Sequence, residues 1–163
     1  MEMERQFRRC LYENVFMIII SPYSKALKNG KTNAKNYPYW KELIELIKEP
    51  IVQIGIEGEE QLVPDFKKNL SLAELEALLN QCRTWISCDS FFQHFAWDKK
   101  KYGIVLWSVS DPLIFGHPEN INLLKDRNNL VENQFLWWED TEHDAKKFFN
   151  PSLVLECLNA NFS

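Results

Sequence analysis

The stretch Cys88-Asp89-Ser90-Phe91-Phe92-Gln93-His94 places a carboxylate, a hydroxyl and an imidazole directly after the apolar run Thr84-Trp-Ile-Ser-Cys88. A strand over Thr84–Cys88 followed by a helix over Phe91–Trp97 leaves the first backbone N–H groups of that helix without intrahelical partners. With the aligned peptide dipoles, equivalent to roughly half a positive charge, those donors can hold an anion. Asp89 and Ser90 are equally ordinary N-cap residues, and a histidine one turn into a helix is commonly packed and hydrogen-bonded. The stretch alone therefore reads as an anion site or as a capped core helix, and the neighbouring loops bear on the choice.

Two of those loops carry complementary chemistry. Lys35, in Lys35-Asn-Tyr-Pro-Tyr-Trp40, stands before a helix and can reach a phosphate; as a bland alternative it is a solvated surface lysine. Glu57, Glu59 and Glu60 follow Gly55 at a strand end, where a carboxylate can accept from two ribose hydroxyls. Their alternative role is to complement a helix dipole. Phosphate cradle, cation and ribose acceptor together are what a nucleoside diphosphate needs. No G-x-G-x-x-G or P-loop pattern is present, which argues against dinucleotide oxidoreductases and NTPases.

Something must bring these loops together, and the order of elements supplies it. Val15 to Ile20 is a continuous β-branched run, as in a strand buried on both faces. Pro38 opens a helix with Trp40, Leu43, Ile44 and Ile47 on one face, and Pro50 stops it before a strand over Ile51–Gly55. Ser71 and Glu74 form a capping box, Leu70 staples onto Leu75, and Leu72, Leu75, Leu78 or Leu79, and Cys82 form the buried stripe. Strands follow over Thr84–Cys88, Gly103–Val109 and Ile121–Leu124, with closing helices over His143–Phe149 and Ser152–Leu158. Alternating strands and helices predict one α/β domain over residues 1–163, its core at about 14–160, with a Rossmann-like parallel sheet covered by helices on both faces. In such a sheet ligands gather at the carboxyl ends of the strands, which is where every polar cluster above lies.

On these residues the sequence resembles the C-terminal, donor-binding half of the ADP-heptose:lipopolysaccharide heptosyltransferase family, a GT-B architecture of two Rossmann-like domains facing a cleft. The resemblance runs from Lys35–Trp40 through Gly55-Ile-Glu-Gly-Glu59, Asn69–Leu75 and Asp89–His94 to Ser110-Asp-Pro112. It implies that Lys35 contacts donor phosphate and that Glu59, or else Glu57, holds the ribose. It further implies that Asp89 and Ser90 open the pyrophosphate turn running through Phe91 and Phe92 to His94, and that Ser110 stands for the threonine of a G-x-T-x-P segment. Phe91 and Ser108 occupy family glycine positions, so Phe91 is expected to crowd the phosphate unless its ring turns into the core.

The resemblance covers no counterpart of the family's N-terminal acceptor domain, where the proposed general base lies. It implies a nucleotide diphosphate sugar as ligand, no catalytic residue in this chain, and a homo-oligomer or second chain supplying the acceptor side. A non-catalytic sugar-nucleotide module and an interaction domain with a degenerate pocket are the alternatives. Trp107 reads as core, Phe115 as a loop aromatic at the rim, and Trp137-Trp138 as a sheet cover or contact patch.

Composition narrows the classes further. The 163 residues carry 19 Lys and Arg against 23 Asp and Glu, a net charge of −4 with no basic tract, which argues against a nucleic-acid partner. The short run at 15–20 is too brief for a transmembrane segment, and the mixed-charge start lacks the features of a signal peptide, so a cytoplasmic location is expected. Scattered Cys10, Cys82, Cys88 and Cys157 and three dispersed histidines imply no metal and no cofactor.

Overall fold

The computed structural model describes residues 17–162, so Val15 and Phe16 of the first expected strand lie outside the described residues. Six strands form one sheet: β1 (Met17–Ser21), β2 (Ile51–Gly55), β3 (Phe66–Lys68), β4 (Cys82–Cys88), β5 (Ile104–Trp107) and β6 (Ile121–Leu124). Their spatial order is β3-β2-β1-β4-β5-β6, and every pairing is parallel. The architecture is Rossmann-like α/β. The order reverses between β1 and β4, which opens a crevice at their carboxyl ends.

Side-chain alternation along β1 explains the two-faced core. Ile19 joins Val52, Leu79 and Trp85 on one face, while Ile18 and Ile20 join Leu43, Ile86 and Leu158 on the other. Three consecutive isoleucines, each wholly buried, each contribute roughly 1.5–3 kcal/mol by leaving water. The first face is covered by α2 (Leu72–Gln81) and α3 (Phe91–Asp98), the second by α1 (Trp40–Leu46) and α5 (Pro151–Phe162). A short α4 (Pro112–Phe115) follows β5, with Asp111 capping it through Leu113 N–H at 2.9 Å.

The local signals at α2 hold: Ser71 Oγ accepts from Glu74 N–H, and Glu74 accepts from Ser71 N–H at 2.7 Å. Leu70 packs against the cluster that contains Leu75. Leu72, expected in the buried stripe, is instead 60% exposed, because the stripe begins one turn later at Leu75, Leu78 and Leu79. The segment expected as a helix over 143–149 contains only a 3₁₀ turn, Ala145–Lys147, capped by Asp144. Pro38 precedes α1 in a turn, and the helix proper starts at Trp40. The edge strand β3 was not expected.

Residues 56–65, which join β2 to β3, carry no helix. One side chain substitutes for it. The fully buried Gln53 donates from Nε2 to Glu60 O at 2.8 Å and accepts from Leu62 N–H at 2.7 Å. Gly103 leads into β5 where nothing larger fits, since a Cβ there would lie 2.5 Å from Trp85 O and 2.4 Å from its ring.

Candidate functional site

The loops after β1, β2 and β4 enclose a cavity of about 1010 Å³ at the sheet's switch point. Tyr23 and Lys35 line it from β1, Gly55, Ile56 and Glu59 from β2, and Asp89 through Phe92 from β4. Residues Phe135–Glu139 form a further wall, anchored on the β5 side by Val131 N–H to Val109 O and by Gln134 to Asp111 N–H. Four lysines (25, 28, 35 and 67) face three carboxylates (Glu59, Asp89 and Glu139), a weakly positive balance that suits an anion.

Asp89 is the hub. Buried at 6% exposure, its carboxylate pairs with Lys35 Nζ at 3.2 Å and accepts from Ser110 Oγ at 2.8 Å and Gln93 Nε2 at 2.7 Å. Lys35 Nζ also lies over the Trp138 ring, 4.4 Å from its centroid. The loop bearing Lys35 is fastened to the β4 turn: Ser24 donates to Asp89 O at 2.8 Å, Asn36 accepts from Ser24 N–H, and Ser108 donates to Ala34 O at 2.9 Å. Ser110 and Ser108 thus hold the site from below and do not face the cavity.

Ser90 occupies the N-cap of α3 in an extended conformation and makes no side-chain cap hydrogen bond; its buried Oγ has no partner. Among the described residues, no side chain hydrogen-bonds to the amide donors at the start of α3. The Phe91 ring does not turn into the core. It is 62% exposed, lies along the flank of α3 beside Phe95 at 5.9 Å and lines the cavity. Phe92 takes the core position, edge-on to Trp85 at 5.3 Å.

At the β2 end, Glu59 Oε2 accepts from Ile56 N–H at 3.1 Å, folded back over Gly55, where a Cβ would sit 2.0 Å from that oxygen. Burial raises the Glu59 carboxyl above the ordinary carboxylate range, partly offset by the Ile56 N–H. Burial and the nearby Glu60 and Glu59 charges push the Tyr23 hydroxyl up to about 12. Glu57 instead pairs with Lys68 at 3.5 Å outside this cavity, leaving Glu59 as the lining carboxylate of the two.

His94 stands apart from the others. It is exposed, does not line the cavity, and its Nδ1 lies 2.8 Å from Nε2 of His117. The His117 ring stacks on Trp97 at 4.2 Å, and Trp97 donates to Glu119 at 3.0 Å. Burial and the His94 charge lower the His117 pKa, opposed by Glu119. Phe115 likewise packs on the core and on Phe135 rather than lining the cavity.

No protein-family model and no curated protein matches the sequence. Solved structures do match in fold. The E. coli ADP-heptose LPS heptosyltransferase II superposes with a TM-score of 0.64 at 20% identity, over 90% of this chain and 46% of that one. The chain resembles the heptosyltransferases. The dodecameric iron-containing heptosyltransferase TibC, solved with ADP-D-β-D-heptose, gives 0.59 at 13% identity over 91% of this chain and 46% of its own. A second structure of this dodecameric glycosyltransferase, from enterotoxigenic E. coli, gives 0.54 at 14% identity, covering 84% of this chain and 37% of that one. At these identities the likeness to heptosyltransferases is one of fold, and this chain spans about half the length of the structures it matches or less. Among the described residues, no helix is long and apolar enough to cross a membrane.

Sequence reasoning gave Gln93 no role and read Trp138 as a sheet cover or contact patch rather than as the ring beneath Lys35. Gln93 is the fourth residue after Asp89, a spacing that brings side chains together on one helical turn and was the available signal. Trp138 meets Lys35 only through the tertiary fold; the Trp-Trp pair marked the segment without marking its place.

Proposed function

We propose that the chain, residues 1–163, acts as a single donor-binding domain of the glycosyltransferase type, holding a nucleotide diphosphate sugar in the cavity at the β1/β4 switch point. One observation carries this reading: Lys35, the start of α3 and Glu59 line the same crevice, spaced across the sheet in the order phosphates and ribose require. The amides after Ser90 and Lys35 hold the diphosphate, and Glu59 accepts from the ribose hydroxyls. Asp89, Ser110 and Gln93 position Lys35. The acceptor side, with the base that deprotonates the attacking hydroxyl, is supplied by a second chain or a further copy. The domain works in the cytoplasm, in keeping with free Cys82, Cys88 and Cys157.

The test is a thermal-shift and calorimetric titration with ADP, UDP and GDP and with ADP-glucose, UDP-glucose and GDP-mannose. Binding raises the melting temperature in step with the logarithm of ligand concentration, and Lys35→Ala reduces the rise. No shift with any of the six at millimolar concentration rejects the reading. Capture without turnover is a second reading, favoured by the Asp89 carboxylate being committed to Lys35, Ser110 and Gln93 rather than free for chemistry. Release of the nucleoside diphosphate from a bound donor, alone or with a partner chain, decides between the two.

A further inference from the structure

The cavity is polar in its middle and aromatic at one end. Nucleoside and diphosphate account for the β2 end and the middle, through Glu59, Lys35 and the start of α3. Residues Phe135–Glu139 wall the cavity from the β5 side across to the loop after β1, and along that wall Phe135 and Trp137 are exposed. Trp137 is 74% exposed, so a large indole lines a cavity without being used by the core. Lys28 Nζ stands over it at 5.7 Å, and Asn29 fixes the wall by donating to Glu139 O at 3.2 Å.

We propose that Trp137 is the stacking platform for the sugar ring of the ligand, an inference that rests on the donor-domain reading above. The order of groups across the sheet gives the direction. Glu59 lies after β2, Lys35 after β1 and the start of α3 after β4. The Trp137 wall runs from its anchor after β5 to the β1 loop, where Lys35 lies over Trp138 and Asn29 donates to Glu139 O. A linear molecule with its ribose at Glu59 and its phosphates at Lys35 and α3 carries its far end past Lys35 and the Trp138 ring beneath it to the neighbouring Trp137. That far end, in a nucleotide sugar, is a ring with C–H groups on its faces and hydroxyls on its edge. Such a face packs on an indole, and the edge hydroxyls need polar partners that Lys28 and Glu139, lining the same wall, provide. A bare nucleoside diphosphate has no ring beyond its phosphates to cover the Trp137 indole, so Trp137 distinguishes the conjugate from the free diphosphate.

The experiment measures Kd for each nucleoside diphosphate and its hexose conjugate on the full chain, in wild type, Trp137→Ala and Trp137→Phe, with melting curves to confirm that each variant is folded. In wild type the conjugate binds more tightly than the diphosphate, by between about two- and tenfold for one aromatic stacking contact. Trp137→Ala abolishes that ratio and leaves diphosphate affinity unchanged, while Trp137→Phe keeps most of it. A ratio of one in wild type, a ratio untouched by Trp137→Ala, or an equal loss for both ligands overturns the proposal; the last assigns the ring to the nucleobase. Failure of every ligand to bind wild type overturns the donor-domain reading itself, and the sugar platform with it.

Discussion

Replacing Asp89 by alanine tests the hub on which the candidate site is built. The side chains of Asp89 and Lys35 are only 7% and 17% exposed, so water cannot replace the lost partner for either the lysine or the donors around it. Alanine leaves the Lys35 ammonium held only by the Trp138 ring and strands the Ser110 hydroxyl and the Gln93 amide. Removing one partner of a buried pair costs about 3–5 kcal/mol. That is a large share of the ~5–15 kcal/mol by which a domain is stable. At roughly 2–4 °C per kcal/mol for a chain of this size, the melting temperature falls by about 6–20 °C. Lys35→Met is milder, because the carboxylate keeps two of its donors. Urea unfolding of Asp89→Asn, Lys35→Met and the double variant then gives the coupling between the pair, expected at about 1–3 kcal/mol. An alanine variant within about 1 kcal/mol of wild type, together with a coupling near zero, would falsify the assignment of Asp89 as the group that fixes Lys35.

Two further perturbations follow from the same geometry. Because burial raises the Glu59 carboxyl, the folded chain binds that proton more tightly than the unfolded chain, so this group's contribution to stability falls as pH rises from about its ordinary 4.5 through the folded value, then levels. Glu59→Gln removes the decline while keeping an acceptor for Ile56 N–H. Its stability relative to wild type therefore rises with pH across that window in urea melts, and a flat difference refutes the burial argument. Gly103→Ala forces a methyl to within 2.5 Å of Trp85 O, which cannot yield as a side chain tip can, so a loss of ~3 kcal/mol or more is expected in the same melts. A loss under about 1 kcal/mol shows that the chain can shift at the entry to β5.

Much of this architecture was legible because it is written in local patterns. The alternation of Ile18, Ile19 and Ile20 between two faces, the Ser71 and Glu74 reciprocity, and the strand-then-helix order all arise from neighbours in sequence. β3 escaped because a three-residue edge strand, Phe66-Lys-Lys68, has too few side chains to show a period and two of them face water. The tail misled because His143–Phe149 carries apolar residues that pack individually on α1 and its approach, as Phe148 does against Tyr37, without needing a helix. Within the candidate site, that Lys35, Glu59 and Asp89–Phe92 share the rim was readable from strand ends; that Ser110 and His94 stay off it, and what each residue touches, was not. Ser110 turned out to hold Asp89 from below and His94 to pair with His117 on the outer side of α3, because such contacts depend on the tilt of the helix against β5 and its loops.

The Gln53 bridge has a bearing on how a ligand is met. A helix-free connection of this length ordinarily trades conformational freedom for contact when something binds, and affinity is diminished by that ordering. Here the amide at Gln53 holds the middle of the connection, at Glu60 and Leu62, from inside the sheet, so that freedom is surrendered once, during folding. The Glu59 side of the cavity is thereby set before any ligand is present. On the donor-domain reading proposed above, a ligand held there would bind without a further ordering cost on this connection.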